Sequence, residues 1–135
     1  MRKLLAIVLT ALVASGCASG LTRATGDDRI ARYEPYIGEP IDGFTAFRQD
    51  SWHPVARDKF ILWTGINDAY LLTIIGTCPD LRFENRVAVT STGSRITTFD
   101  QVRLRGHRCP IEEIRPVDVR QMKADRRERE DSRTG

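Results

Sequence analysis

The sequence is short of most features that announce a chemistry. It has three cysteines and two histidines, with no C-x-x-C and no H-x-x-x-H among them. A zinc site wants four ligands at short paired spacings, so no metal centre and no cofactor is expected. No G-x-S-x-G elbow surrounds a serine. Ser51, Ser91 and Ser94 sit in turn-like sequence, which argues against an acyl-transfer enzyme of that type. His53, between Trp52 and Pro54, and His107, in Gly106-His107-Arg108, read as loop or edge residues. There is no internal repeat and no block of one charge. The 21 Lys+Arg are interleaved with 18 Asp+Glu, so no nucleic-acid partner is expected. The apolar run at residues 4–14 is too short to cross a bilayer, which takes ~20 residues.

What is present begins at the N-terminus. Arg2-Lys3, the apolar run and a small-residue segment are the three parts of a secretory signal peptide. Ala14-Ser15-Gly16-Cys17 resembles a bacterial lipobox, with Ala14 where Leu is usual. That resemblance implies a signal peptide at residues 1–16 and lipid on the sulfur and amine of Cys17. Several acyl chains hold a domain at a membrane far better than one, because each buried CH₂ adds ~0.8 kcal/mol. The alternative is ordinary cleavage after Ala18, which leaves a soluble periplasmic protein. Residues 17–26 have the small, polar, Gly-containing composition of a flexible tether. Ala18 after the cysteine, rather than Asp, resembles the sorting pattern of outer-membrane lipoproteins. Loss of residues 1–16 leaves 119 of 135 residues, enough for one domain. It also removes two of the basic residues, so the net charge falls from +3 to +1.

Cys78 and Cys109 remain. In an oxidising envelope two leftover cysteines are most simply paired; a metal site and a reactive thiol are the competing readings. A bridge would close a loop of about 30 residues, worth ~3–4 kcal/mol by chain entropy.

The local patterns predict one α+β domain at residues 27–120, a small antiparallel, barrel-like sheet of about six or seven strands with a short helix at each end. Thr25-Gly26-Asp27-Asp28 resembles a helix start, and Pro35 stops the run, giving a helix at 27–34. Short apolar stretches at 44–47 and 52–55 flank a turn. Residues 60–63 and 69–75 are the clearest strands. The second lacks alternation and should be buried on both faces. Gly65-Ile66-Asn67-Asp68 between them has hairpin composition. Ser91-Thr92-Gly93-Ser94 signals a second hairpin, joining 87–90 to 95–99. Residues 101–105 alternate, with Val102 and Leu104 inward and Arg103 and Arg105 outward. At 111–117 the spacing of Ile111 and Ile114 implies a bulge or bend, and Pro116 belongs at a strand end or sheet edge. Asp118, three before Gln121, caps a helix from about 119. Residues 121–135 are nearly all charged and are expected to be a frayed helix or a disordered tail.

Asn67-Asp68-Ala69-Tyr70-Leu71-Leu72, Cys78-Pro79-Asp80-Leu81, Phe99-Asp100 and the run from Cys109 to Asp118, with its Glu113-Ile114-Arg115-Pro116-Val117-Asp118, carry a further resemblance. The chain resembles a family of small proteobacterial lipoproteins classed as a domain of unknown function. The resemblance implies an envelope lipoprotein bridged between Cys78 and Cys109, and carries no catalytic residues. A bridge would gather polar groups, so Asp80, Asp100, Glu113, Arg115 and Asp118, with Glu112 beside them, form a candidate cluster. Structural duties compete with that reading, as turn-former for Asp80, helix cap for Asp118 and ion-pair partner for Arg115. The expected function is a non-catalytic binding or scaffolding module at the membrane, with an envelope protein or glycan as partner. The alternative is a small periplasmic enzyme or ligand-binding domain using carboxylates and Arg115 near the bridge.

Overall fold

The computed structural model describes residues 26–135. The expected signal peptide, the lipidated Cys17 and all of the tether but Gly26 lie outside the described residues. The elements are helix α1 (Gly26–Ala31), a 3-10 turn (Glu34–Tyr36), strands β1 (Gly43–Thr45), β2 (Ser51–Pro54), β3 (Lys59–Trp63) and β4 (Ala69–Ile74), a second 3-10 turn (Leu81–Phe83), strands β5 (Ala88–Val89), β6 (Arg95–Thr97), β7 (Gln101–Leu104) and β8 (His107–Val117), and helix α2 (Val119–Thr134).

The fold is α+β, a curled half-barrel of six antiparallel strands flanked by short terminal helical segments. The strand order is β2-β3-β4-β8-β7-β5. The curl has a local cause. Thr73 faces Glu113 and Ile74 faces Ile111, so Glu112 is an extra residue in β8. Such a bulge bends its strand and raises its twist. The two ends of β8 thereby serve different neighbours. His107–Pro110 pair with β7, and the rest pairs with β4. Strands β1 and β6 form a separate ladder, in which Phe44 faces Ile96.

The unalternating apolar run does lie buried on both faces. Leu72 and Ile74 enter the inner core with Phe60, Leu62, Val102, Leu104, Ile111 and Ile114. Ala69 and Leu71 enter an outer core with Ile61, Val117 and Val119, packed against Tyr33 and Met122. The outer core explains the terminal helical segments, which cover the face of β3, β4 and β8 that would otherwise be apolar and wet.

The two edges of the sheet approach each other. Gln49, just ahead of β2, donates from its amide to the carbonyl of Val89 in β5 (2.8 Å) and accepts from that residue's N–H (3.3 Å). One side-chain amide thus stands in for a strand across the gap. Pro116 lies inside the β4–β8 ladder, yet its carbonyl accepts from Gly38 N–H on the opposite side (2.8 Å). A residue's N and C=O point the same way along a strand, so the missing donor of Pro116 faces the loosely paired 37–41 segment, where no ladder bond is lost.

Two local expectations are corrected. The hairpin between 87–90 and 95–99 does not form a ladder. Only Thr92 and Arg95 bridge, while β5 pairs with β7 and β6 with β1. The turn chemistry was sound, with Gly93 at φ +66°, but burying Val89 against Val102 and Ile96 against Phe44 outweighs the local pairing. The N-terminal helix stops at Ala31 and Pro35 falls inside a 3-10 turn. At the other end, the highly charged segment is helical to Thr134, and every residue from Arg126 onward is exposed.

Candidate functional site

Cys78 and Cys109 form a disulfide, with Cα atoms 6.0 Å apart and a sequence separation of 31. Cys109 is fully buried in the inner core. The bridge fastens the 3-10 turn Leu81–Phe83 to β8, and the fully buried Leu81 completes that attachment. A second tie joins the same two regions. Arg105 Nε forms an ion pair with Glu84 Oε2 at 3.1 Å, and its Nη2 donates to the carbonyl of Phe83 at 3.2 Å. The Glu84 side chain is only 3% exposed. A carboxylate that deep requires a partner, and Arg105 supplies it.

Arg105 is held in an uncommon backbone state. The β7–β8 connection is the two-residue turn Arg105-Gly106, with φ +45° and +81°. Such turns suit the twist of a hairpin but want Gly, Asn or Asp at their first position. A long side chain there costs about 1–2 kcal/mol, and the bond to Glu84 offsets it.

Above this clamp lies a cleft of about 580 Å³ between the two edges of the sheet, lined by Trp52 from β2, Arg86, Arg103, Arg105, His107 and Arg108, among others. Arg103 and Arg108 are directly opposite each other on β7 and β8. Like charges in that position repel. No carboxylate lines the cleft, and among the described residues none is within ion-pair distance of Arg86, Arg103 or Arg108. Guanidinium groups offer planar forks that fit phosphate and carboxylate oxygens two at a time. The arrangement can hold an anion, and the apolar face of Trp52 can meet whatever the anion is attached to.

The residues expected as a cluster have mostly local duties. Asp80 accepts from Arg82 N–H (3.0 Å) and pairs with its guanidinium (2.5 Å), which holds its carboxyl below the usual carboxylate range. Asp100 organises the β6–β7 turn, accepting from Thr97 N–H at 2.8 Å and from the Thr90 hydroxyl at 3.3 Å. Asp118 caps α2 by accepting from Gln121 N–H at 3.0 Å. Glu113 and Arg115 pair at 2.7 Å, and the hydrogen bond from Arg115 lowers the Glu113 pKa. That pair is the one direct bond within the set among the described residues. None of the five lines the arginine cleft. The outward alternation of Arg103 and Arg105, followed by Arg108, was the sequence signal for the cleft. Arg86 and Trp52 reach it only through the curl of the sheet.

Comparison with curated proteins and with solved structures gives no match. A family model does match, and it covers residues 1–133. The chain belongs to DUF6491, a family of unknown function.

Proposed function

We propose that this protein is a ligand-binding domain of the bacterial envelope that takes a phosphate- or carboxylate-bearing molecule in the arginine cleft. The observation that carries the reading is the facing pair Arg103 and Arg108, set in a cleft that contains no carboxylate. Repulsion between them is relieved when an anion lies between the two guanidinium groups. Arg105 has a different task, since its bonds to Glu84 and Phe83 fix the hairpin against the disulfide-tethered loop. The bridge and the clamp thus preorganise the cleft, which lowers the ordering cost of binding. In this reading the domain holds its ligand without transforming it. Lipid on Cys17 would keep it at the outer membrane, facing the periplasm.

The test is calorimetric titration of the purified protein with inorganic phosphate, glucose 1-phosphate and glucose. Each charge-assisted hydrogen bond is worth ~1.5–3 kcal/mol, so Arg103→Ala or Arg108→Ala should weaken binding of the sugar phosphate by about ten-fold or more. Glucose alone should not bind. Equal affinity in wild type and Arg103→Ala/Arg108→Ala, or no binding of any anion offered, would remove the reading.

A further inference from the structure

A second group of cations lies on the domain's helical cover, in a groove that shares no residue with the arginine cleft. Met122, Arg126, Arg129 and Arg133 recur at helical spacing, so they form one stripe along α2. Its base is fixed. Val119 is buried, the Tyr36 hydroxyl donates to Asp125 Oδ2 at 2.8 Å, and Lys123 Nζ donates to the carbonyl of Ile66 at 2.6 Å. Beyond that base the helix projects with every residue exposed. Where the stripe leaves the domain it forms one wall of a groove of about 520 Å³, whose other wall is Arg32, Tyr33 and Tyr36. Glu128 and Asp131 fall on the far side of the helix, and Glu130 flanks the stripe. Among the described residues no carboxylate lies within ion-pair distance of Arg32, Arg126, Arg129 or Arg133.

We propose that this groove and stripe seat the headgroups of anionic phospholipids, so that the domain rests on a bilayer along α2. Charge complementarity is one support. The path of the chain is the other. Helix α1 starts nine residues after Cys17, and the sequence between spans at most about 30 Å when fully extended. If the N-terminal segment is held at a bilayer, the start of α1 is kept within that reach of its surface, and the groove begins one short helix further on, at Ala31. Tyr33, partly exposed in the groove wall, suits this position, since tyrosine rings are at home at the membrane–water boundary. The proposal concerns a different surface from the arginine cleft and does not depend on it.

The experiment uses the full chain with Cys17→Ser, so that lipidation does not mask surface binding. Flotation is measured with vesicles of phosphatidylcholine alone and of phosphatidylcholine mixed with phosphatidylglycerol. The expected result is excess binding to the mixed vesicles that shrinks as salt is added. Each cation near an anionic surface contributes roughly five-fold, so Arg126→Glu/Arg129→Glu should reduce that excess by about 25-fold or more. Arg126→Gln/Arg129→Gln, which keeps good helix formers, should lose less, and circular dichroism checks that both variants retain the helix. No excess, or an excess untouched by either variant, overturns the proposal. Loss of the excess in Arg103→Ala/Arg108→Ala instead would place the headgroup in the cleft and also overturn it. Capture of polyglutamate in place of vesicles would assign the groove to an acidic protein.

Discussion

Cutting the disulfide should expose how much of the fold depends on fastening one loop. The bridge closes 31 residues, and the chain-entropy relation for a loop of that size gives about 3.7 kcal/mol at 25 °C. For a domain of this size the urea dependence is ~1.5 kcal/mol per molar. Cys78→Ala/Cys109→Ala should therefore lower the urea midpoint by about 2–3 M, read from the fluorescence of Trp52 and Trp63. The Arg105–Glu84 clamp spans the same two regions. Arg105→Ala leaves a buried carboxylate without its partner, a loss of ~1–3 kcal/mol. Two ties on one element should not act independently, so a double-mutant cycle should give a coupling of at least ~0.5 kcal/mol. A midpoint shift below about 0.5 M would refute the entropic account. A cost of Arg105→Ala that is the same with and without the bridge would refute the claim that the two ties hold one element.

Three smaller perturbations follow from single contacts. Asp118→Ala removes the cap on α2 and should cost about 1 kcal/mol, measured by urea unfolding, with a fall in helical circular dichroism. Gln49→Ala removes both bonds to Val89; each is worth ~0.5–1.5 kcal/mol net, and hydrogen exchange at the Val89 amide should speed up while that of Val102 changes little. Acid should weaken the fold through Asp80 and Glu113. Hydrogen bonds from Arg82 and Arg115 depress their folded pKa values, so their contribution is complete above the ordinary carboxylate range of ~4 and is lost as pH falls through the lowered values. Asp80→Asn with Glu113→Gln should flatten that part of a stability–pH profile, and an unchanged profile would show the two pairs to be neutral to folding.

The sheet was legible wherever one residue's neighbours decide its state. The run from Ala69 to Ile74 has no polar side, and a strand without one is buried twice. Val102 and Leu104 alternate with Arg103 and Arg105, and both apolar residues are fully buried. Asp118 caps its helix because a cap is a contact over three residues. The odd spacing of Ile111 and Ile114 marked the bulge that bends β8. The second hairpin failed for the converse reason. Its turn is local, but the partners of β5 and β6 are chosen by core packing with residues far along the chain, and a turn at Gly93 suits either outcome.

Charge was the least legible property, because a sum hides an arrangement. A chain with 21 basic and 18 acidic residues looks evenly mixed. Folding unmixes it. Asp80, Glu113 and Asp50 each pair with an arginine two residues away, and Glu84 is sunk beneath Arg105. Local neutralisation of this kind consumes carboxylates in turns and strands, and it leaves Arg103 and Arg108 facing each other across strands, with Arg86 in the same cleft and no carboxylate lining it. The carboxylates picked out from the sequence were conspicuous because they sit in strong local motifs, and those motifs are what occupy them. Arginines without a short-range partner were the more informative residues. In a half-barrel whose edges are joined by Gln49, the cleft these arginines line is the place proposed for an anion from outside.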